Sequence, residues 1–124
     1  MTIVIIEDEK DLGILMRNFL VKQLNTETPA NIKLTTSLTE GLHCIKQMNP
    51  DWVFLDNNLP DGKGVEFISI AKKLSPSTKI IMITAFDTYS DRSKAYAEGA
   101  DFFIGKPFTR DAINKTIEKL MPLS

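Results

Sequence analysis

Short, unbroken apolar runs alternate along this chain with segments that have the period of a helix, and this alternation constrains the fold more than any single residue does. Residues 3–6, IVII, make a β-branched run of the kind seen in strands covered on both faces, and it ends at EDE. Leu12, Leu15, Met16, Phe19 and Leu20 then recur at the i, i+3, i+4, i+7, i+8 spacing of an amphipathic helix, which ends before the polar stretch NTETPAN. A second strand is expected near residues 32–36. Ser37 and Glu40 follow it with capping-box spacing, and Leu38, Leu42, Ile45 and Met48 form the buried stripe of the next helix. The third strand is the run from Trp52 to Leu55. Residues 65–74 read as a helix that Pro76 stops. KIIMIT at 79–84 is the fourth strand, and DFFIGKP at 101–107 contains the fifth. Ile113, Thr116, Ile117 and Leu120 share one face of a final helix. Residues 87–98, DTYSDRSKAYAE, have few large apolar side chains to anchor a helix and are expected to be the mobile segment.

Five strand-then-helix repeats imply a parallel sheet, because right-handed crossovers place helices on both of its faces. The 124 residues suit a single domain, read as spanning 1–124, with a core that needs no metal or disulfide staple. A formal net charge of -1 excludes a strongly basic nucleic-acid binder as the default. Cys44 has no partner for an internal disulfide, MTIVII reaches charge too early for a signal peptide, and no run approaches the ~20 apolar residues of a membrane span. These features point to the cytoplasm and away from a membrane.

In an open parallel sheet, ligands bind beyond the carboxyl ends of the strands, near the point where strand order reverses. Strand one ends at Glu7, Asp8 and Glu9, strand three at Asp56, strand four at Thr84, and strand five just before Lys106. If strands one and three are neighbours, at least three carboxylates converge. Two such charges 4 Å apart repel by about 4 kcal/mol at an effective dielectric of 20. Against a total stability of about 5–15 kcal/mol, that repulsion calls for a compensating cation. Mg²⁺ suits the donors, since it takes one or two carboxylates and leaves positions for water and phosphate oxygens.

IVIIEDE, VFLDNNLPDGKG, IIMITA and GADFFIGKPF, in this order and with these separations, resemble the receiver domain of bacterial two-component response regulators, of the chemotaxis-receiver kind. The resemblance covers essentially the whole chain. It implies a flavodoxin-like, doubly wound five-stranded parallel sheet of strand order 2-1-3-4-5, and an aspartate that accepts a phosphoryl group from a histidine kinase or phosphotransfer protein with Mg²⁺. By position, Asp56 is the expected phosphoacceptor, Asp8 a direct magnesium ligand, Glu7 its acidic companion, and Asn58 the donor of a backbone carbonyl. Thr84 would hydrogen-bond the phosphoryl group, Lys106 would pair with it, and Phe103 would be the switch aromatic. The Lys106–Pro107 peptide is expected to be cis, a geometry that only an X-Pro bond adopts cheaply. Thr84 and Phe103 would pass the signal to a face made of the fourth helix, the fifth strand and the fifth helix, open to a homodimer partner or effector. Phe102, Tyr89 and Tyr96 are expected to be exposed there. The domain itself would not bind nucleic acid.

The chemistry is sound without the family name. Phosphoryl transfer has a loose transition state, so the protein chiefly positions groups and neutralises charge. An ionised aspartate is a nucleophile that needs no general base. Two residues depart from the family's usual pattern: Glu7 is one methylene longer than the common Asp, which suits a contact through water, and Phe103 replaces the commoner tyrosine. Taken singly, Lys106 reads as solvated surface and Phe103 as core, while a turn cap at Asp56 and an ordinary strand residue at Thr84 are the lesser readings of those two; joint placement favours the site. His43 and Cys44, adjacent on a helix, form no metal-ligand set. DGKG lacks the Walker A pattern that an NTPase needs, Asn58 stands where an aspartyl-phosphate phosphatase wants a second acid, and a flavin site would leave the acidic cluster unexplained. A catalytically inactive receiver-like scaffold is the remaining alternative.

Overall fold

The structure, a computed structural model, describes residues 1–24, 30–85 and 88–121. Among the described residues, seven strands and five helices follow in the order β1 (Thr2–Ile6), α1 (Lys10–Leu24), β2 (Asn31–Thr35), α2 (Leu38–Met48), β3 (Trp52–Asp56), β4 (Asn58–Leu59), β5 (Gly62–Lys63), α3 (Gly64–Leu74), β6 (Lys79–Thr84), α4 (Tyr89–Glu98), β7 (Phe102–Gly105) and α5 (Arg110–Leu120). Five of the strands form one sheet in the order β2-β1-β3-β6-β7, with every pairing parallel. Counting only those five, the order is the expected 2-1-3-4-5. The small antiparallel hairpin of β4 and β5 has no counterpart in the sequence reading, which took residues 57–64 as turns alone.

The unbroken apolar runs are explained by the helices on both faces. Side chains alternate across a strand, so Val4, Ile6, Val53, Leu55, Ile80 and Met82 face one core with α2, α3 and Ala95 of α4. Ile3, Ile5, Trp52, Phe54, Ile81 and Ile83 face the other, which α1 and α5 cover with Met16, Leu20, Leu24, Ile113 and Ile117. Between their ends, the central strands carry no polar residue on either face.

Within α1 the stripe is rotated from the expected one. Gly13, Met16, Leu20 and Leu24 are buried, whereas Leu15 lies on the solvent side, 41% exposed. Met16 and Leu20 point straight at the sheet, and Leu15 is left on the rim of a groove beside Arg110 of α5. At α2, Ser37 accepts the Glu40 N–H (3.2 Å), but the Glu40 carboxylate takes the Thr36 hydroxyl and does not complete the box. Asp61, from the hairpin, caps the rest of that helix end.

The poorly anchored segment does form a helix. Only Ala95 of α4 is buried, yet Thr88 and Asp91 make a reciprocal capping box and Gly99 ends the helix at φ 116°, a left-handed conformation that glycine adopts without strain. Caps supply here what burial does not; Asp87 lies outside the described residues. Tyr89 and Tyr96 are exposed as expected. Phe102 is not: it is half-buried and packs against the core shared by α1 and α5, because odd and even positions of β7 face opposite layers. No helix among the described residues is long and apolar enough to cross a membrane.

Candidate functional site

The strand order makes β1 and β3 neighbours, with Ile6 opposite Leu55, so the next residues, Glu7 and Asp56, emerge side by side at the carboxyl edge. Strand order reverses there, since β1 leads outward to β2 while β3 leads the other way to β6. Carboxylate oxygens of Glu7, Asp8 and Asp56 all lie within 4.8 Å of one another. Glu7 and Asp56 are buried, at 3% and 6% exposure, and Asp8 faces solvent.

Lys106 enters this cluster from β7. Its backbone N–H donates to the Thr84 carbonyl (2.8 Å), it precedes a cis bond to Pro107, and its ammonium donates to Glu7 Oε1 at 2.8 Å and stands 3.2 Å from Asp56 Oδ1. One cation thus serves two buried carboxylates. Burial disfavours the Glu7 charge, the Lys106 hydrogen bond favours it, and the neighbouring Asp56 disfavours it again; the outcome is a carboxyl raised from 4.5 to about 7. At Lys106 burial works against the charge, but the hydrogen bond to Glu7 and the charges of Asp56 and Glu7 outweigh it, so the ammonium is held above the ordinary lysine range.

A titration follows from the raised Glu7. Its stabilising contribution is complete below the unfolded value of 4.5 and is lost as pH rises through about 7. Thermal melts of the metal-free protein should therefore show stability falling between pH 5 and 8, by up to about 3 kcal/mol at 1.36 kcal/mol per pKa unit. Glu7→Gln should flatten that slope. An unchanged slope in the variant would remove Glu7 as its source.

The loop after Asp56 is pinned by hydrogen bonds that no local pattern announces. The Asn57 N–H donates to the Ile83 carbonyl (3.2 Å), the Asn57 carbonyl accepts the Gly64 N–H (2.8 Å), and Asn57 Oδ1 accepts the Val65 N–H (3.0 Å), capping α3 in place of Lys63, which makes no side-chain cap. A Cβ on residue 64 would collide with the Asp56 backbone carbonyl, so the close approach requires glycine. Asn58 stands on β4, its side chain accepting from Lys63 Nζ at 2.6 Å. Asn57, Asp61 and Lys63 were not singled out in the sequence; Asn57 alone had a signal, an Asn next to a strand end.

Thr84 is buried at the end of β6. Phe103 stands further along the edge on β7, half-buried, with the Arg92 guanidinium carbon 5.2 Å from its ring centroid. Thr84, Phe103 and Asn57 line a cavity of about 300 Å³, whose rim carries Lys63, Asp91 and Lys94. The structure brings Glu7, Asp8, Asp56 and Lys106 into one cluster, while Phe103 shares its cavity with Thr84 and Asn57.

The donor set fits a hard divalent cation. When all are ionised, three carboxylates against one ammonium leave a surplus of two negative charges among oxygen ligands, and at Glu7 the neighbouring Asp56 adds to the burial that raises the carboxyl.

A family model for the response regulator receiver domain matches residues 3–118. The transcriptional regulatory protein CusR of Escherichia coli is 32% identical over 87% of this chain and 45% of its own length. The KDP operon transcriptional regulatory protein KdpE of the same species is 34% identical over 86% of this chain and 44% of its own length. The chain thus spans less than half of these relatives. A CheY-like response regulator receiver domain protein from Methanospirillum hungatei superposes with a TM-score of 0.83 at 27% identity, covering 96% of this chain and 92% of that one. Receiver domains generally bind Mg²⁺ at an acidic pocket and take phosphoryl groups from histidine kinases. With the strand order and these likenesses in agreement, the chain belongs to the response regulator receiver domain family, the phosphorylation-dependent signalling domains of two-component systems.

Proposed function

We propose that Asp56 accepts a phosphoryl group from the phosphohistidine of a histidine kinase or phosphotransfer protein. The observation that carries this reading is the buried Asp56 carboxylate sharing one lysine with Glu7 at the switch point of the sheet. A new bond forms between an Asp56 carboxylate oxygen and phosphorus as the phosphorus–nitrogen bond of the donor breaks, and the imidazole nitrogen keeps the electron pair and takes a proton. Glu7, Asp8, Asp56 and the backbone carbonyl of Asn58 would hold Mg²⁺, with Glu7, one methylene longer than the common Asp, acting through a water molecule. When bound, that ion neutralises the charge on the transferring oxygens. Lys106 pairs with the phosphoryl group, and the Thr84 hydroxyl hydrogen-bonds it.

The signal leaves through Thr84 and Phe103. Movement of Thr84 toward the phosphoryl group opens space into which Phe103 turns, altering the face made of α4, β7 and α5. Shifting a two-state equilibrium from 1:99 to 99:1 takes about 5.5 kcal/mol, and burying one aromatic ring supplies roughly 1.5–3. The remainder comes from the phosphoryl contacts and from a partner on that face, a second copy or an effector; Tyr89 and Tyr96 are its exposed apolar contacts. Residues 1–124 act as one receiver unit in the cytoplasm and make no direct nucleic-acid contact.

Incubation with acetyl phosphate and Mg²⁺ tests the reading by intact mass. One added phosphoryl group is expected with Mg²⁺, and none with a chelator. No labelling at any Mg²⁺ concentration would instead identify an inactive receiver-like scaffold.

A further inference from the structure

Asp61 sits at the tip of the β4–β5 hairpin, but its carboxylate serves another element. It accepts the Leu38 N–H at 2.8 Å, the Thr39 N–H at 2.9 Å and the Thr39 hydroxyl at 2.8 Å. Ser37 takes the Glu40 N–H, so the three leading N–H groups of α2 are satisfied, two of them from the hairpin. Gly62, at φ 151°, lies so close to the helix that a Cβ there would stand 3.1 Å from Leu38 Cδ1. The hairpin tip therefore rests on the start of α2.

At its other end the same segment is held by Asn57, through the Ile83 carbonyl and the Gly64 and Val65 N–H groups. Asn58 lies between the two anchors. Strands of two residues have too few ladder bonds to hold themselves, so the position of Asn58 depends on where the tip is fastened.

We propose that Asp61 is a positioning residue for the phosphoacceptor site: by clipping the hairpin to α2, it fixes the Asn58 carbonyl beside Asp56 before the metal arrives. This rests on the phosphoacceptor reading above. A ligand already in place loses less freedom on binding, and partners that orient metal ligands are commonly worth 10–100-fold in affinity. The Leu38 and Thr39 N–H groups are near solvent and find water when Asp61 is removed, so α2 survives while the hairpin tip is released.

The test compares Asp61→Ala with Ser37→Ala, which removes the other cap of the same helix end. Mg²⁺ binding is measured calorimetrically on the unphosphorylated protein, and acetyl phosphate labelling is followed against Mg²⁺ concentration. Asp61→Ala should weaken Mg²⁺ about 10-fold, while its labelling rate at saturating Mg²⁺ stays within about 2-fold of wild type, a split that marks lost binding and intact chemistry. Ser37→Ala should lower Tm and leave Mg²⁺ affinity unchanged. Wild-type affinity in Asp61→Ala, or equal weakening in both variants, overturns the positioning role. If Asp61→Ala does not fold, Asp61→Asn, which keeps an acceptor of the same shape, should show a smaller weakening, and wild-type affinity there overturns the role as well. Wild-type protein that takes neither Mg²⁺ nor a phosphoryl group would bring down the phosphoacceptor reading itself, a result distinct from failure of the clip alone.

Discussion

Asp56→Asn is expected to take up no phosphoryl group from acetyl phosphate at any Mg²⁺ concentration, and without metal it is expected to melt above the wild type. The first half follows from chemistry, since an amide oxygen is neither the anionic nucleophile nor the metal ligand that the reaction needs. The second is a matter of magnitudes. At 3.2 Å and an effective dielectric of 20, the Lys106–Asp56 attraction is worth about 5 kcal/mol. Repulsion from an ionised Glu7 carboxylate, no more than 4.8 Å away, is worth at least about 3.5 kcal/mol on the same scale, and solvent-screened Asp8 adds to it. These terms nearly cancel, so the cost of burying a carboxylate, several kcal/mol after relaxation, decides the sign. The variant keeps a one-to-one Glu7–Lys106 pair and sheds that cost. Thermal melts at neutral pH, paired with intact-mass labelling, read both effects. A variant that melts below wild type would mean that Lys106 binds Asp56 more strongly than Glu7 and burial oppose it, and persistent labelling would move the acceptor elsewhere.

The three central strands were legible because each is a short apolar run that must be covered on both faces, a demand written in consecutive residues. The acidic cluster was legible for a related reason, since it stands at strand ends and its members follow the runs 3–6 and 52–55 directly. The spatial order came from the family resemblance, because periodicity says nothing of which strands adjoin. What the sequence hid are contacts across distance in the chain. Asp61 caps a helix 22 and 23 residues earlier, and an acid beside Pro60 looks like any turn residue. Gly64 likewise reads as loop glycine, although it is required by the Asp56 carbonyl pressed against it. Leu15 was misplaced because apolar identity alone does not say which of two adjacent leucine-like positions faces the sheet, and the neighbouring Met16 took the buried direction.

Lys106→Met should produce the largest change in stability, and one that depends on pH and metal. The substitution keeps an unbranched apolar stem of similar reach and removes only the ammonium that Glu7 and Asp56 share. Breaking a buried pair by deleting one partner costs about 3–5 kcal/mol where the stranded charge cannot be relieved. Here it can be relieved below pH 7, because Glu7 already holds its proton up to about that pH. Losing Lys106 removes the strongest influence lowering the Glu7 pKa, so the variant's carboxyl moves higher still. A raised acid gives its full stability below its unfolded value and loses it as pH rises through the folded one. The gap between wild type and Lys106→Met should therefore be smaller at pH 5, where only Asp56 is left without its cation, and open toward its full size at pH 8. Millimolar Mg²⁺ should narrow it, since the same carboxylates regain a cation. A variant equally destabilised at pH 5 and pH 8, with no recovery in Mg²⁺, would show that Lys106 supports the fold through its packing and not through the two carboxylates.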